Sequence, residues 1–159
     1  MIAFFDEVHL TNSVLTPKAF APKHKNIWID KAKMDHPAGH MVCGVTKQHG
    51  VLISKTFREH IDGEMFLRVV KAAHRKCPNL CIVMDNYSIH TKTTNKVEYA
   101  KLGIKVIWVP VGEYLLNSAV EKTFLQLKTI AKRKKLEQVM HSKTVDAKKI
   151  LDESMREIK

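Results

Sequence analysis

The fold is decided by residues 80–86, Leu-Cys-Ile-Val-Met-Asp-Asn, in which five apolar residues run directly into an acid and an amide. Pro78 and Asn79 precede the run, so turn-forming residues stand on both sides of it. An unbroken apolar run of this length predicts a central strand that is covered on both faces. The segment therefore indicates a layered α/β domain built around a sheet.

Outward from this run, the chain alternates between further strands and helices. Short apolar segments bounded by turn residues predict four more strands, at 2–5, 41–46, 51–57 and 104–109. Helical spacing and end signals predict three helices, at 63–76, at 94–102 and from 119 into the C-terminal tail. Gly50 is placed for a tight hairpin between the second and third strands. The order strand, hairpin, helix, strand, helix, strand, helix predicts an α/β fold with a mixed five-stranded sheet and a basic helical tail.

The composition excludes several classes of protein. A length of 159 residues, with 45% apolar and 27% charged residues, is typical of one globular domain and not of a disordered or fibrous chain. No apolar run is long enough to cross a bilayer, and we expect no secretory signal. Three cysteines argue against a disulfide scaffold and favour a reducing compartment.

The charge of the chain is less ordinary. It has 27 Lys and Arg against 16 Asp and Glu, which gives a formal net charge of +11. A domain this basic usually binds a polyanion, and nucleic acid is the leading candidate. The alternative is that the charge serves solubility alone.

Acids are scarce in this chain, so their positions are informative. Asp6 follows the first predicted strand, and Asp85 follows the central one. Because the carboxyl ends of neighbouring strands face a common crevice, we expect the two carboxylates to lie close together. Such a pair usually holds a cation or shares a proton, and hard oxygen ligands suit Mg²⁺ or Mn²⁺. The alternative is that each Asp simply ends its strand in a turn.

Glu121 is the candidate third acid, in the first turn of the last predicted helix. It is separated from Asp85 by 121 − 85 − 1 = 35 residues, which is room for one helix, one strand and a return loop. Three carboxylates at one sheet edge can bind two divalent ions and support in-line phosphodiester chemistry. The competing interpretation is a capping box, in which Glu121 pairs with Ser118 at the start of the helix.

Three segments of the sequence resemble the DDE catalytic core of mariner-like transposases and their bacterial insertion-sequence relatives, over about residues 2–130. They are Phe-Phe-Asp-Glu at 4–7, Val-Met-Asp-Asn-Tyr-Ser-Ile-His at 83–90, and the block from Val-Pro at 109–110 to Leu-Asn-Ser-Ala-Val-Glu at 116–121. Trp28 and the predicted hairpin also lie where that family has an aromatic residue and a hairpin. The resemblance implies an RNase H-like fold, two Mg²⁺ ions, and DNA strand cleavage and transfer.

Carried over by position, Asp6, Asp85 and Glu121 would be the catalytic and metal-binding triad. The sequence departs from the family pattern at the last acid, where Ser118 replaces a proline and the acid comes one residue later. A strict alignment puts Val120 on the catalytic position, which leaves Glu113 as a weaker substitute.

Other residues near the motifs have two interpretations each. Asn86 and His90 would orient Asp85 or contact a phosphate, or else Asn86 serves turn chemistry and His90 a helix start or a solvent position. Lys92 is placed to reach a bound phosphate. The last group is a basic cluster that either binds DNA or forms the solvated face of a helix: Lys132, Arg133, Lys134 and Lys135.

The sequence therefore predicts an RNase H-like catalytic core over residues 1–131 and a basic helical extension over residues 132–159. The predicted function is that of a DNA transposase catalytic domain, with Mg²⁺ or Mn²⁺ as cofactor and transposon ends and target DNA as partners. The resemblance also implies a homo-oligomer or larger assembly. We expect it away from membranes, in the nucleus of a eukaryotic host or otherwise in the cytoplasm. The alternatives are an inactive or domesticated copy kept for DNA binding or assembly, and another nuclease of the same fold.

Overall fold

The computed structural model describes residues 1–11, 23–24, 38–110, 113, 118–141 and 145–158. Trp28 and the side chain of Ser118 lie outside this part of the chain. The described strands are β1 Ile2–Leu10, β2 Gly39–Thr46, β3 Gly50–Phe57, β4 Cys81–Met84 and β5 Lys105–Trp108. The described helices are α1 Gly63–Lys76, α2 Ser88–Thr91, α3 Thr93–Lys101, α4 Ser118–Met140 and α5 Ala147–Glu157.

The strands form one mixed sheet in the order β3-β2-β1-β4-β5. The pairs β1–β2 and β2–β3 are antiparallel, whereas β1–β4 and β4–β5 are parallel. Gly50 has a positive φ of 66° at the β2–β3 connection, a conformation that glycine adopts without strain. The mixed five-stranded sheet and its hairpin are therefore confirmed.

Helices cover the sheet on both faces, and β4 is buried between them as the apolar run predicts. Val83 belongs to the core on one face, with α4 and α5, while Ile82 and Met84 belong to the core on the other, with α1. The middle of the sheet is nevertheless β1, with β4 beside it. The prediction of an inner strand that is covered on both faces is therefore confirmed, although burial on both faces does not reveal that β1 has the middle place in the sheet.

The first strand is longer than predicted, which changes the position of Asp6. Instead of ending at Phe5, β1 continues to Leu10, because its antiparallel pairing with β2 supplies backbone partners as far as Leu10↔Gly39. Its parallel pairing with β4 stops at Phe4↔Val83. Asp6 therefore lies inside β1 but just beyond the end of β4, at the same edge of the sheet as Asp85.

The C-terminal segment packs on the same sheet. Helix α4 passes without a break through position 131/132, where the two predicted segments meet, so Ala131 and Val139 lie on either side of that boundary in one core cluster. Helix α5 adds Ile150 and Leu151 to that cluster. The division into two segments itself stays a prediction.

Helix α5 approaches β2 closely. A Cβ on Gly39 would lie 2.9 Å from the backbone carbonyl carbon of Ala147, so this contact depends on a glycine.

None of the helices in the described ranges is both long and apolar enough to cross a membrane.

Gly44 of β2 lies directly beside Phe5 of β1, and its missing side chain makes room for the ring. A Cβ at this position would lie 2.5 Å from Cζ of the completely buried Phe5. We expect Gly44→Ala to lower the free energy of unfolding by about 1–3 kcal/mol, as overpacking does in a tight core. Denaturant unfolding of Gly44→Ala, Phe5→Leu and the double variant checks this. The double variant should be more stable than the sum of the single losses, and strict additivity would contradict the packing argument.

Candidate active site at the β1–β4 edge

The site begins with Asp6, on the half of β1 that β4 does not reach. Its side chain shares the α4 face of the sheet with Phe4 and Val8, because alternate residues of a strand point the same way. The pKa of Asp6 is raised to about 7, mainly by burial and further by the charges of Glu7 and Asp85. The backbone N–H of Glu7, which donates to Asp6 Oδ1 at 2.8 Å, and the charge of His90 act in the opposite direction.

Asp85 follows β4 directly and is the accessible acid of the site, with a side chain that is 51% exposed. Its Oδ1 accepts a hydrogen bond from the backbone N–H of Tyr87 at 3.0 Å, so the chain turns around the carboxylate. Asn86 donates from Nδ2 to the carbonyl of Val109 at 2.9 Å, which ties the end of β4 to the end of β5. Both interpretations of Asn86, as a turn residue and as a partner of Asp85 or of a phosphate, stay predictions.

His90 lies on the short helix α2 and is completely buried, so a solvent position is excluded. Its Nδ1 lies 2.7 Å from Asp85 Oδ1, and its Nε2 lies 2.8 Å from Glu7 Oε1. The ring also packs on Phe66 of α1, with centroids 4.2 Å apart. Burial alone would lower the pKa of His90, but the hydrogen bond to Glu7 and the charges of Glu7 and Asp85 raise it above its usual value.

Glu7 is the residue that the sequence analysis missed. Since the predicted strand stopped before Asp6, Glu7 was treated as lying beyond it. In the structure it is in the middle of β1, and its side chain is only 7% exposed. Glu7 shares the α1 face of the sheet with Phe5, opposite to Asp6. An acid two positions after the apolar Phe5, and so on the same face of a strand long enough to include both, would have been the signal.

Glu121 is exposed in the first turn of α4, next to the completely buried Val120. Glu113 is exposed as well. Within the described ranges, no group of three His, Cys, Asp or Glu side chains is arranged to hold a metal ion. The structure therefore brings Asp6 and Asp85 to one edge, and the third acid stays a prediction.

The basic residues have different surroundings. Lys92 is exposed directly after α2. Arg133 and Lys134 form ion pairs with Glu157 of α5, at 2.9 Å and 2.6 Å. Lys135 is buried, and its Nζ donates to the backbone oxygen of Thr11 at 3.4 Å. Lys132 is partly exposed. The cluster is thus largely engaged within the fold, and its contact with DNA stays a prediction.

The donor set of the edge fits a hard divalent cation. Asp6 and Asp85 offer carboxylate oxygens, which are the ligands that Mg²⁺ and Mn²⁺ prefer. Burial, and to a smaller extent the charges of Glu7 and Asp85, raise the pKa of Asp6, and a bound cation would offset the cost of ionising this carboxyl. The half-exposed Asp85 leaves the edge open to solvent and to a substrate.

Comparison with known structures supports the fold assignment. The chain is similar to one in the cryo-EM structure of the simian T-cell lymphotropic virus intasome in complex with PP2A regulatory subunit B56 gamma. The TM-score is 0.65 at 12% sequence identity, and the match covers 97% of this chain and 46% of that one. At this identity the likeness concerns the fold, which is RNase H-like as expected. The present chain spans less than half the length of its viral counterpart.

Sequence comparison gives the family. No curated protein matches the chain. A family model described as "DDE superfamily endonuclease" matches residues 1–141, which include β1, β4 and α4. This confirms the resemblance drawn from the three motif segments. Since the match takes in 141 of the 159 residues, the chain belongs to the DDE superfamily endonucleases.

Proposed function

We propose that the chain is the catalytic domain of a DNA transposase, which cleaves DNA strands and transfers the freed ends with the help of two divalent ions. The observation that carries this proposal is the position of Asp6 and Asp85 at one sheet edge, since the β1–β4 pairing ends two residues before each of them, at Phe4↔Val83. Family membership over residues 1–141 supports the reaction class.

In this proposal Asp6 and Asp85 hold the ions, and Glu121 completes their ligands. When bound, Mg²⁺ or Mn²⁺ would lower the pKa of a water and stabilise the leaving oxygen of a phosphodiester. Of the two acids at the sheet edge, Asp85 is the more exposed, so the scissile phosphate approaches from its side. The exposed Lys92 lies seven residues after Asp85, where its ammonium can contact a phosphate.

The proposed partners are transposon ends and target DNA. A formal charge of +11 attracts the phosphate backbone irrespective of base sequence. The similar viral chain belongs to an intasome, which supports action within an oligomeric assembly on DNA. In this proposal, the oligomeric state and the recognition of a DNA sequence depend on the whole protein and not on the β1–β4 edge alone.

Asp85→Asn should remove the cleavage activity. We expect the rate of nicking of supercoiled plasmid in Mg²⁺ or Mn²⁺ to fall by at least about a hundredfold, as happens when one electrostatic stabiliser of a reaction is lost. Gel separation of nicked and closed plasmid measures this rate. The matched control is Glu64→Gln, which removes an exposed acid of α1 and should nick at the rate of the unmodified protein. Equal rates for Asp85→Asn and the unmodified protein would refute the assignment.

Asp6→Asn should raise the melting temperature in the absence of metal and remove its increase on addition of metal. The raised pKa of Asp6 means that its ionised form destabilises the fold, so this acid costs stability as the pH rises from about 4 to about 7. At pH 8 without metal, Asp6→Asn should therefore melt at a higher temperature than the unmodified protein. Addition of Mg²⁺ or Mn²⁺ should raise the melting temperature of the unmodified protein only, because ligand binding stabilises the folded state by mass action. An equal metal response in both proteins would contradict a role for Asp6 as a ligand.

A second candidate function is an inactive subunit that contributes DNA binding or assembly. The observation in its favour is that Glu113 and Glu121 are both exposed, and that the described part of the chain holds no ready-made three-ligand group. The two functions make opposite predictions for the third acid. For an active domain, Glu121→Gln should abolish nicking while Glu113→Gln leaves it unchanged. An inactive subunit should bind DNA in a salt-sensitive way and show no nicking in any variant.

A further inference from the structure

The buried ring of His90 connects two acids that belong to different strands. Glu7 lies on β1 and Asp85 follows β4, and each is within hydrogen-bond distance of one ring nitrogen of His90. Because both neighbours are carboxylate oxygens, both nitrogens can donate when the ring carries a proton on each. The result is a chain of polar contacts, Glu7–His90–Asp85, that starts in the sheet and ends at the proposed metal edge. Nε2 is hydrogen-bonded to Glu7 Oε1, while Nδ1 contacts the Asp85 carbonyl at 3.3 Å and lies 2.7 Å from Asp85 Oδ1.

The inner end of this chain is held firmly. Glu7 is 7% exposed and belongs to the central strand of the sheet, whereas Asp85 is 51% exposed at a strand end. Helix α2, which carries His90, is also fixed, because Asn95 Nδ2 donates to the carbonyls of Ile89 at 2.8 Å and Gly63 at 2.9 Å. Asp85 is therefore the exposed partner of His90 and Glu7 the buried one, so we take Glu7 as the anchor of the ring.

Asp6 and Glu7 are adjacent in sequence but lie on opposite faces of β1, so they cannot serve the same ion from the same side. Asp85 Oδ1 accepts a hydrogen bond from Tyr87 N and lies 2.7 Å from His90 Nδ1, which also contacts the backbone carbonyl of Asp85 at 3.3 Å. Its second oxygen, Oδ2, is then the one available to a cation. Ligating carboxylates and their hydrogen-bond partners are commonly paired in this way in metal sites.

We propose that Glu7 and His90 are positioning residues: His90, anchored on Glu7, holds the Asp85 carboxylate so that its Oδ2 is presented to the divalent ion. This inference rests on the proposed function, because it assigns Asp85 to a metal. It adds to that function a buried acid outside the Asp-Asp-Glu set, which acts through the histidine and does not touch the substrate.

Two amide substitutions of His90 separate positioning from simple packing. In His90→Asn the amide nitrogen takes the place of Nδ1 and still donates to Asp85, but the link to Glu7 is lost. In His90→Gln the amide nitrogen takes the place of Nε2 and still donates to Glu7, but the link to Asp85 is lost. If His90 only fills its pocket and satisfies the buried Glu7, His90→Gln should be at least as stable as His90→Asn and should bind Mn²⁺ at least as tightly.

The experiment is a Mn²⁺ titration of the whole chain, with free Mn²⁺ measured by electron paramagnetic resonance. We expect His90→Gln to weaken Mn²⁺ binding by about 10- to 100-fold, the usual loss when a partner of a metal ligand is removed. His90→Asn should bind more tightly than His90→Gln even where it melts at a lower temperature. Glu7→Gln, which keeps an acceptor for Nε2 but loses the charge, should weaken binding less than His90→Gln. The control Glu64→Gln should bind as the unmodified protein does.

A second measurement needs no metal. Hydrogen exchange of the Tyr87 amide, which donates to Asp85 Oδ1, should be faster in His90→Gln than in His90→Asn, because only the Gln variant frees the carboxylate.

Unchanged Mn²⁺ affinity in His90→Gln, in a protein that binds Mn²⁺ before substitution, would overturn the positioning role alone. Absence of Mn²⁺ binding by the unmodified protein would overturn the proposed metal function and this inference with it.

Discussion

The whole arrangement depends on the pairing of β1 with different partners along its length. Over Ile2–Phe4 the strand has β4 on one side in parallel, and over Ala3–Leu10 it has β2 on the other side in antiparallel orientation. The residues after Phe4 thus remain in regular strand conformation but lose their β4 neighbour. Into the space that β4 vacates comes the chain after Met84, with Asp85 and then His90. One register therefore decides which side chains can meet.

Much of this fold follows from local signals in the sequence. The apolar run before Asp85 predicted a strand buried on both faces, and Gly50 marked the hairpin. Asp62, directly before α1, caps that helix by accepting from the N–H of Met65. These features depend on neighbours in the chain. The length of β1 depends on a distant segment instead. Only the pairing with β2 extends β1 beyond Asp6, and β2 begins more than thirty residues later. The same distance hid Glu7, whose partner His90 is 83 residues away.

The candidate site was predictable to the same extent. Asp6 and Asp85 could be placed together because parallel strands bring their carboxyl ends to one edge, which is a rule about topology. The position of His90 depends on packing. Its buried ring lies against Phe66 of α1, and the sequence does not predict how α1 and α2 are oriented relative to each other. Glu121 illustrates the opposite case. Its place in the first turn of α4 was predicted, yet helical periodicity alone does not say which way a residue next to the buried Val120 faces.

The ion pairs between α4 and α5 have a consequence for how the chain meets a polyelectrolyte. Arg133 and Lys134 share the single carboxylate of Glu157, so they are less available to replace the counterions that are condensed on DNA phosphates. Since the salt dependence of binding counts the ions released, its slope will be shallower than the number of basic residues in α4 suggests. A polyanion would therefore meet fewer available cations on α4 than the sequence of that helix suggests, because part of the charge of α4 already joins it to α5.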